Sequence, residues 1–185
     1  MEVNEIFKSL SERMIKGVMV HTEFIDYFDF LNLHGYKRMS EYHACCEMKG
    51  LKKLHTYYLN HYNRLIPQSQ FDAGLVIPES WYQYSRQDVD INTKRSAVRD
   101  GFTKWRDWER ETKTLYSQMF KELNDQGEVA SAMKVSDYLD AVDKELKWVE
   151  RKLLELQSID YSMEFILDEQ SYYHEFFKKK MNEKD

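Results

Sequence analysis

Residues 67–92 read PQSQFDAGLVIPESWYQYSRQDVDIN. Both prolines of the chain, Pro67 and Pro78, fall here, with Gly74 and the polar run Ser85-Arg86-Gln87-Asp88, and no apolar period is sustained. On either side the apolar residues recur at helical spacing, so this segment decides how the helices connect. A connection of 26 residues is long for a simple turn. Flanking helices of this length span roughly 40 Å at about 1.5 Å per residue, and a chain that returns along that length needs such a crossover.

Upstream, a helix is expected over about 38–66, with Ala44, Leu51, Leu54, Tyr58 and Leu65 on its apolar face and Pro67 as its stop. It is preceded by a helix over about 4–33, carried by Ile6, Leu10, Met14, Val18, Ile25 and Phe28. Gly35, at His34-Gly35, is expected to end that helix in the left-handed conformation. The short turn makes the two antiparallel neighbours. Downstream, Asn92-Thr93 caps a helix over about 93–124 containing Val98, Phe102, Trp105, Tyr116, Phe120 and Leu123. After Asn124-Asp125-Gln126-Gly127 a fourth helix, about 127–157, carries Val135, Leu139, Val142, Leu146, Val149 and Leu153. The period wavers at Gln157-Ser158-Ile159-Asp160. Ser158 there caps a fifth helix over about 159–181, or the fourth helix continues.

The fold class expected is all-α: an antiparallel four-helix bundle of two hairpins joined by one crossover, with an additional C-terminal helix, in a single domain spanning 1–185. Six glycines and two prolines in 185 residues leave few helix breakers. The formal charge of −5 repels a phosphate backbone, so no nucleic-acid partner is expected. The run Lys178-Lys179-Lys180 complements the carbonyl end of a helix. No apolar stretch reaches the ~20 residues that cross a bilayer, and the N-terminus MEVNEIFKSL lacks a signal pattern. No membrane association and a cytoplasmic location are expected. Cys45 and Cys46 are adjacent, cannot staple distant segments and match no zinc spacing.

Against this apolar background several polar residues fall in the seams. At about 100° per residue, His21 lies among Met14, Val18, Phe24, Ile25 and Phe28, whereas Glu23 points away. Glu47 is central on the second helix, with His43 one turn earlier. Glu109 sits in the seam of Phe102, Trp105, Thr112, Tyr116 and Phe120, and Glu145 stands at the edge of the fourth stripe. His21 and Glu47 lie at similar distances from the turn near residue 35, as do Glu109 and Glu145 from the turn near 126, so imidazoles and carboxylates from four helices are expected at one level.

Buried carboxylates are costly unless paired, hydrogen-bonded or bound to metal. His21, His43, Glu47, Glu109 and Glu145 are therefore candidate metal ligands, and their oxygen and nitrogen donors suit iron or manganese. A polar core network explains the same residues without a cofactor: His21 hydrogen-bonded to a tyrosine or to Glu47, and His43/Glu47 as an i,i+4 pair. His55, His61 and His174 are expected to be surface or satisfied histidines.

Across residues 4–157 this pattern resembles the ferritin-like superfamily, and Phe30-Leu31-Asn32-Leu33-His34-Gly35-Tyr36-Lys37-Arg38 is similar to small ferritin-like proteins of bacterial prophages. The resemblance implies a Glu on the first and third helices and Glu-x-x-His on the second and fourth. Here the first helix offers His21, and Glu47-Met48-Lys49-Gly50 and Glu145-Leu146-Lys147-Trp148 lack the motif histidines. Two functions follow as expectations. One is a non-enzymatic bundle protein of prophage type, acting through protein interaction or assembly, with homodimerisation through a helix face compatible with its many aromatics. The other is a di-metal carboxylate protein with iron or oxygen chemistry in its core.

Overall fold

The structure is a computed structural model that describes residues 2–63, 66 and 89–182. Five helices account for almost all of them: α1 (Val3–Phe30), α2 (His34–Tyr62), α3 (Ile91–Asp125), α4 (Val129–Ser158) and α5 (Met163–Asn182). No strand occurs among the described residues. Residues 67–88 of the expected crossover lie outside them.

The turns after α1, α3 and α4 share one design. Asn32, Gly127 and Asp160 stand in the left-handed conformation at φ 55°, 76° and 49°. Next, the amide of Leu33 donates to the Phe28 carbonyl at 2.9 Å, Glu128 to Leu123 at 2.9 Å, and Tyr161 to Leu156 at 2.8 Å. Each pattern satisfies carbonyls that the last helical turn leaves open. Asn32 and not Gly35 therefore ends α1, because asparagine tolerates the left-handed region. Gly35 lies inside the first turn of α2 for another reason: a Cβ there would come within 2.5 Å of the Gln170 carbonyl oxygen, so its absence admits α5.

Other boundaries also move. Asn63, left-handed at φ 51°, ends α2 at Tyr62, ahead of the expected stop at Pro67. Asp90 caps α3, its carboxylate accepting from the Thr93 amide at 2.7 Å, so the helix starts at Ile91 and not after Asn92-Thr93. The fourth helix begins at Val129 and runs to Ser158, whose hydroxyl donates to the Glu155 carbonyl at 2.7 Å and caps no new helix. The fifth is separate and starts at Met163.

Side-chain contacts fix the directions of the helices. Arg13 Nε donates to Thr112 Oγ1 at 2.8 Å and Tyr27 Oη to the Ala97 carbonyl at 2.7 Å, so α1 and α3 are antiparallel. His43 meets Glu145 at 2.7 Å and Tyr62 Oη donates to Glu128 at 3.0 Å, so α2 and α4 are antiparallel too. With α2 folded back on α1 and α4 on α3, helices α2 and α3 run in the same direction. The α5 helix lies on α2, where Gln170 Oε1 accepts from the Tyr36 amide at 3.0 Å and Glu169 from Tyr36 Oη at 2.7 Å. Glu169 also pairs with Lys152 of α4, a lysine only 3% exposed.

The hydrophobic core is divided in two. One cluster gathers Phe24, Phe28, Tyr36, Phe102, Trp105 and Val149, and the other Phe7, Leu10, Met14, Tyr58, Tyr116 and Val142. Near the boundary between these clusters each of the first four helices places polar residues: His21, His43 and Glu47, Glu109, and Glu145. No helix among the described residues is long and apolar enough to cross a membrane.

Candidate metal centre

Helical spacing delivers the polar layer. On α1, Arg13, Gly17 and His21 follow one another at intervals of four, and on α2 so do His43 and Glu47. Trp105, Glu109, Thr112 and Tyr116 share the inner face of α3, and Glu145 on α4 completes the set. The structure brings all five sequence candidates to this layer.

Three of them are close enough to share one ion. Ligand atoms of His21, Glu109 and Glu145 lie within 4.8 Å of one another. Glu145 Oε1 is the hub: it accepts from Trp105 Nε1 at 3.0 Å, stands 2.7 Å from His43 Nδ1 and lies 3.9 Å from His21 Nε2. The two imidazoles stack at 5.4 Å, and Trp105 meets both edge-on at 5.0 Å. His21 is fully buried, yet neither ring nitrogen has a hydrogen-bond partner among the described residues, and neither does Glu109 Oε1. At 3.9 Å the approach to Glu145 is too long for a hydrogen bond. Among the described residues, no network satisfies His21 as one would a core histidine.

Glu47 reaches the layer through a gap in α1. A Cβ built on Gly17 would lie 3.0 Å from Glu47 Cδ and 3.2 Å from its Oε1, so a residue without a side chain makes room for this carboxyl group. Arg13, one turn below, stacks 3.4 Å over the Trp108 ring and donates to Thr112 Oγ1 at 2.8 Å and to the Trp108 carbonyl at 2.9 Å. Its charge acts on Glu109 and Glu47. Glu111, 3.7 Å from the guanidinium, is itself largely in solvent.

Burial dominates the electrostatics. It pushes the Glu47 carboxyl up to about 8, with Glu145 adding and Arg13 opposing. Burial likewise raises Glu109 well above the usual carboxylate range, reinforced by Glu145 and Glu47. His21 is pushed down to about 4 by desolvation, which outweighs the attraction of Glu145. For Glu145, burial is overcome by the charge and hydrogen bond of His43, aided by His21 and Trp105, and its pKa falls below the ordinary value. Without a metal, then, the layer carries one well-supported carboxylate and two carboxyl groups driven toward the protonated form.

A cavity of about 570 Å³ opens between α2 and α4 onto His43, Glu47 and Glu145. The remaining histidines stand apart from the layer: His55 Nε2 is 2.9 Å from Ser11 Oγ and His61 stacks on Tyr57 at 5.3 Å. Cys45 and Cys46 are half-buried. Arg13, Gly17 and Trp105 are parts of the site that polarity within an apolar seam does not single out. Their signal was positional: Arg13 and Gly17 precede His21 by two turns and one turn, and a glycine inside a long helix calls for a packing reason. Comparison with known protein families, with curated proteins and with solved structures finds no match to this chain.

Proposed function

We propose that this chain is a metal-binding helical-bundle protein whose polar layer takes one divalent ion, iron or manganese, on His21, Glu109 and Glu145, with His43 and Glu47 beside it. The observation that carries this reading is His21: a fully buried imidazole with two unpartnered nitrogens, within 4.8 Å of carboxylate oxygens on two other helices. Imidazole nitrogen with carboxylate oxygen suits these ions, and zinc less specifically. An ion there engages one of the two His21 ring nitrogens and Glu109 Oε1 at once and favours the ionised form of the carboxyl groups that hold it. When bound it supplies Lewis-acid or redox chemistry at a site reached through the cavity.

Arg13 favours one ion over two. Three carboxylates, Glu47, Glu109 and Glu145, are balanced by one divalent cation together with the Arg13 guanidinium, which is held at the level of Glu109 by Thr112 and Trp108. A second divalent ion would leave excess positive charge in a poorly solvated layer.

The arrangement of helices supports a ferritin-like reading, since α2 and α3 run parallel and the carboxylates project inward from a four-helix core. Metal analysis of the purified protein, after growth with iron or manganese supplied, tests the assignment. Close to one ion per chain is expected, lost in the Glu109→Ala and Glu145→Ala variants. Absence of retained metal, with uptake unchanged by those substitutions, would favour instead a bundle that works by protein interaction or assembly.

A further inference from the structure

The cavity above the polar layer is built to be open. Its walls are Met14 of α1, Cys46 of α2, Tyr116 of α3, and Tyr138, Ala141 and Val142 of α4. Its inner end is formed by His43, Glu47 and Glu145, and Lys49, Lys53, Lys134 and Asp137 complete its lining. At about 570 Å³ it falls within the roughly 300–1,000 Å³ range of small-molecule sites.

Gly50 sharpens this. It sits in the interior of α2, where glycine disfavours a helix, and it lines the cavity. Unlike Gly17 and Gly35, which admit a carboxyl group and a backbone carbonyl, Gly50 would carry a Cβ that meets nothing within 4 Å. Its missing side chain thus serves no contact among the described residues and leaves the cavity wider.

The charge of the lining is segregated: its three lysines and three carboxyl residues balance as a whole, but two of the carboxyl residues, Glu47 and Glu145, stand at the inner end. The chain carries a formal −5, yet three lysines face a single aspartate in the part of the lining away from the polar layer. Asp137 is paired with Lys134 at 3.1 Å, and at the inner end Glu145 is held by His43 at 2.7 Å. Apolar and aromatic wall stands between these two ends.

We propose that this cavity binds an organic monocarboxylate with an apolar tail, its carboxylate among Lys49, Lys53 and Lys134 and its tail along Met14, Tyr116 and Val142 toward the metal centre. As the substrate or co-ligand of that centre, the acid rests on the metal reading above; as a ligand of the cavity it does not. Lysine ammonium groups recognise the head as point charges, and the apolar wall excludes an inorganic anion that brings no surface to bury.

Isothermal titration of octanoate into the full chain, both manganese-loaded and chelator-treated, tests the assignment, with octylammonium as the probe of opposite charge. Saturable one-to-one binding of octanoate and none of octylammonium is expected. Gly50→Leu, which fills the cavity, and the double substitution Lys53→Glu with Lys134→Glu, which reverses its charge, are each expected to weaken octanoate at least tenfold. If Gly50→Leu does not fold by circular dichroism, the lysine pair carries the comparison. Octylammonium binding as well as octanoate, undiminished binding in the folded variants, or no saturable octanoate binding overturns the proposal. Metal content measured on the same samples keeps the two readings apart. Retained metal without octanoate binding removes only the cavity ligand, and octanoate binding by a protein that takes up no metal removes only the metal centre.

Discussion

His43 Nδ1 of α2 lies 2.7 Å from Glu145 Oε1 of α4, the same oxygen that accepts from Trp105 Nε1 of α3 at 3.0 Å. One carboxylate oxygen thereby joins three helices, 3.9 Å from Nε2 of the buried His21 ring. Replacing Glu145 by Ala strands a buried indole N–H and an imidazole together. Each unsatisfied group costs about 1–3 kcal/mol, so Glu145→Ala is expected to lower the urea midpoint of the metal-free protein and with it the stability, by about 2–6 kcal/mol. An unchanged midpoint would show that the hub carries no weight.

The metal-free protein is expected to lose stability as pH rises. Glu47 has a folded pKa pushed up to about 8 from 4.5, so between these values the folded state holds a proton that the unfolded chain has released. Its stabilising contribution is present below about 4.5 and is lost as pH climbs through 8. His21, lowered to about 4 from 6.5, acts in the opposite sense, and its contribution is gained between 4 and 6.5. The descending limb therefore stands out between about 6.5 and 8. Glu47→Gln should flatten it by on the order of 1–3 kcal/mol, read from denaturation at a series of pH values with chelator present. A wild-type limb equally steep in the variant would assign the effect elsewhere.

Arg13 is expected to set the metal count. Wild-type protein loaded with manganese should hold one ion per chain, with the six-line resonance of an isolated ion, and Arg13→Lys should keep it so. Arg13→Gln removes the balancing charge and should admit a second, weaker ion. Two magnetically coupled ions in the wild type would contradict this assignment of the arginine.

Gly17 trades helix stability for the position of Glu47. Alanine there gains up to about 1 kcal/mol of helix propensity but places a Cβ 3.0 Å from Glu47 Cδ. Gly17→Ala is expected to leave thermal stability within about 1 kcal/mol of the wild type while weakening metal binding roughly tenfold, about 1.4 kcal/mol. Titration with a competing chelator measures the second effect.

Gly35 meets backbone, which yields less readily than a side chain. A Cβ 2.5 Å from the Gln170 carbonyl oxygen must push α5 from α2, at a cost of about 1–3 kcal/mol. Hydrogen exchange should rise in Met163–Asn182 of Gly35→Ala with little change in α3. Protection of α5 equal to that of the wild type would mean that the contact is relieved locally.

Periodicity alone determined the helical class and the first four helical segments with the face each turns inward, because burying apolar surface at 3.6 residues per turn leaves a direct imprint on residue order, while the separation of the fifth helix from the fourth was left to the structure. It also singled out His21, His43, Glu47, Glu109 and Glu145, since a polar residue in an apolar seam is visible without coordinates. Boundaries were less legible. Asn32 and Asn63 occupy left-handed positions where Gly35 and Pro67 were the stronger local signals, and Asp160 one where Ser158 was, and backbone conformation at helix ends is settled by packing as well as propensity. Gly35 could not be interpreted from its neighbours, because what it accommodates lies 135 residues away on α5. Nor could the sequence show that His21 lacks a partner, that Glu145 serves three helices or that Arg13 stands beside Glu109. Those are distances between elements, which only tertiary structure decides: a seam fixes the direction of a side chain, while the register between helices fixes what it meets.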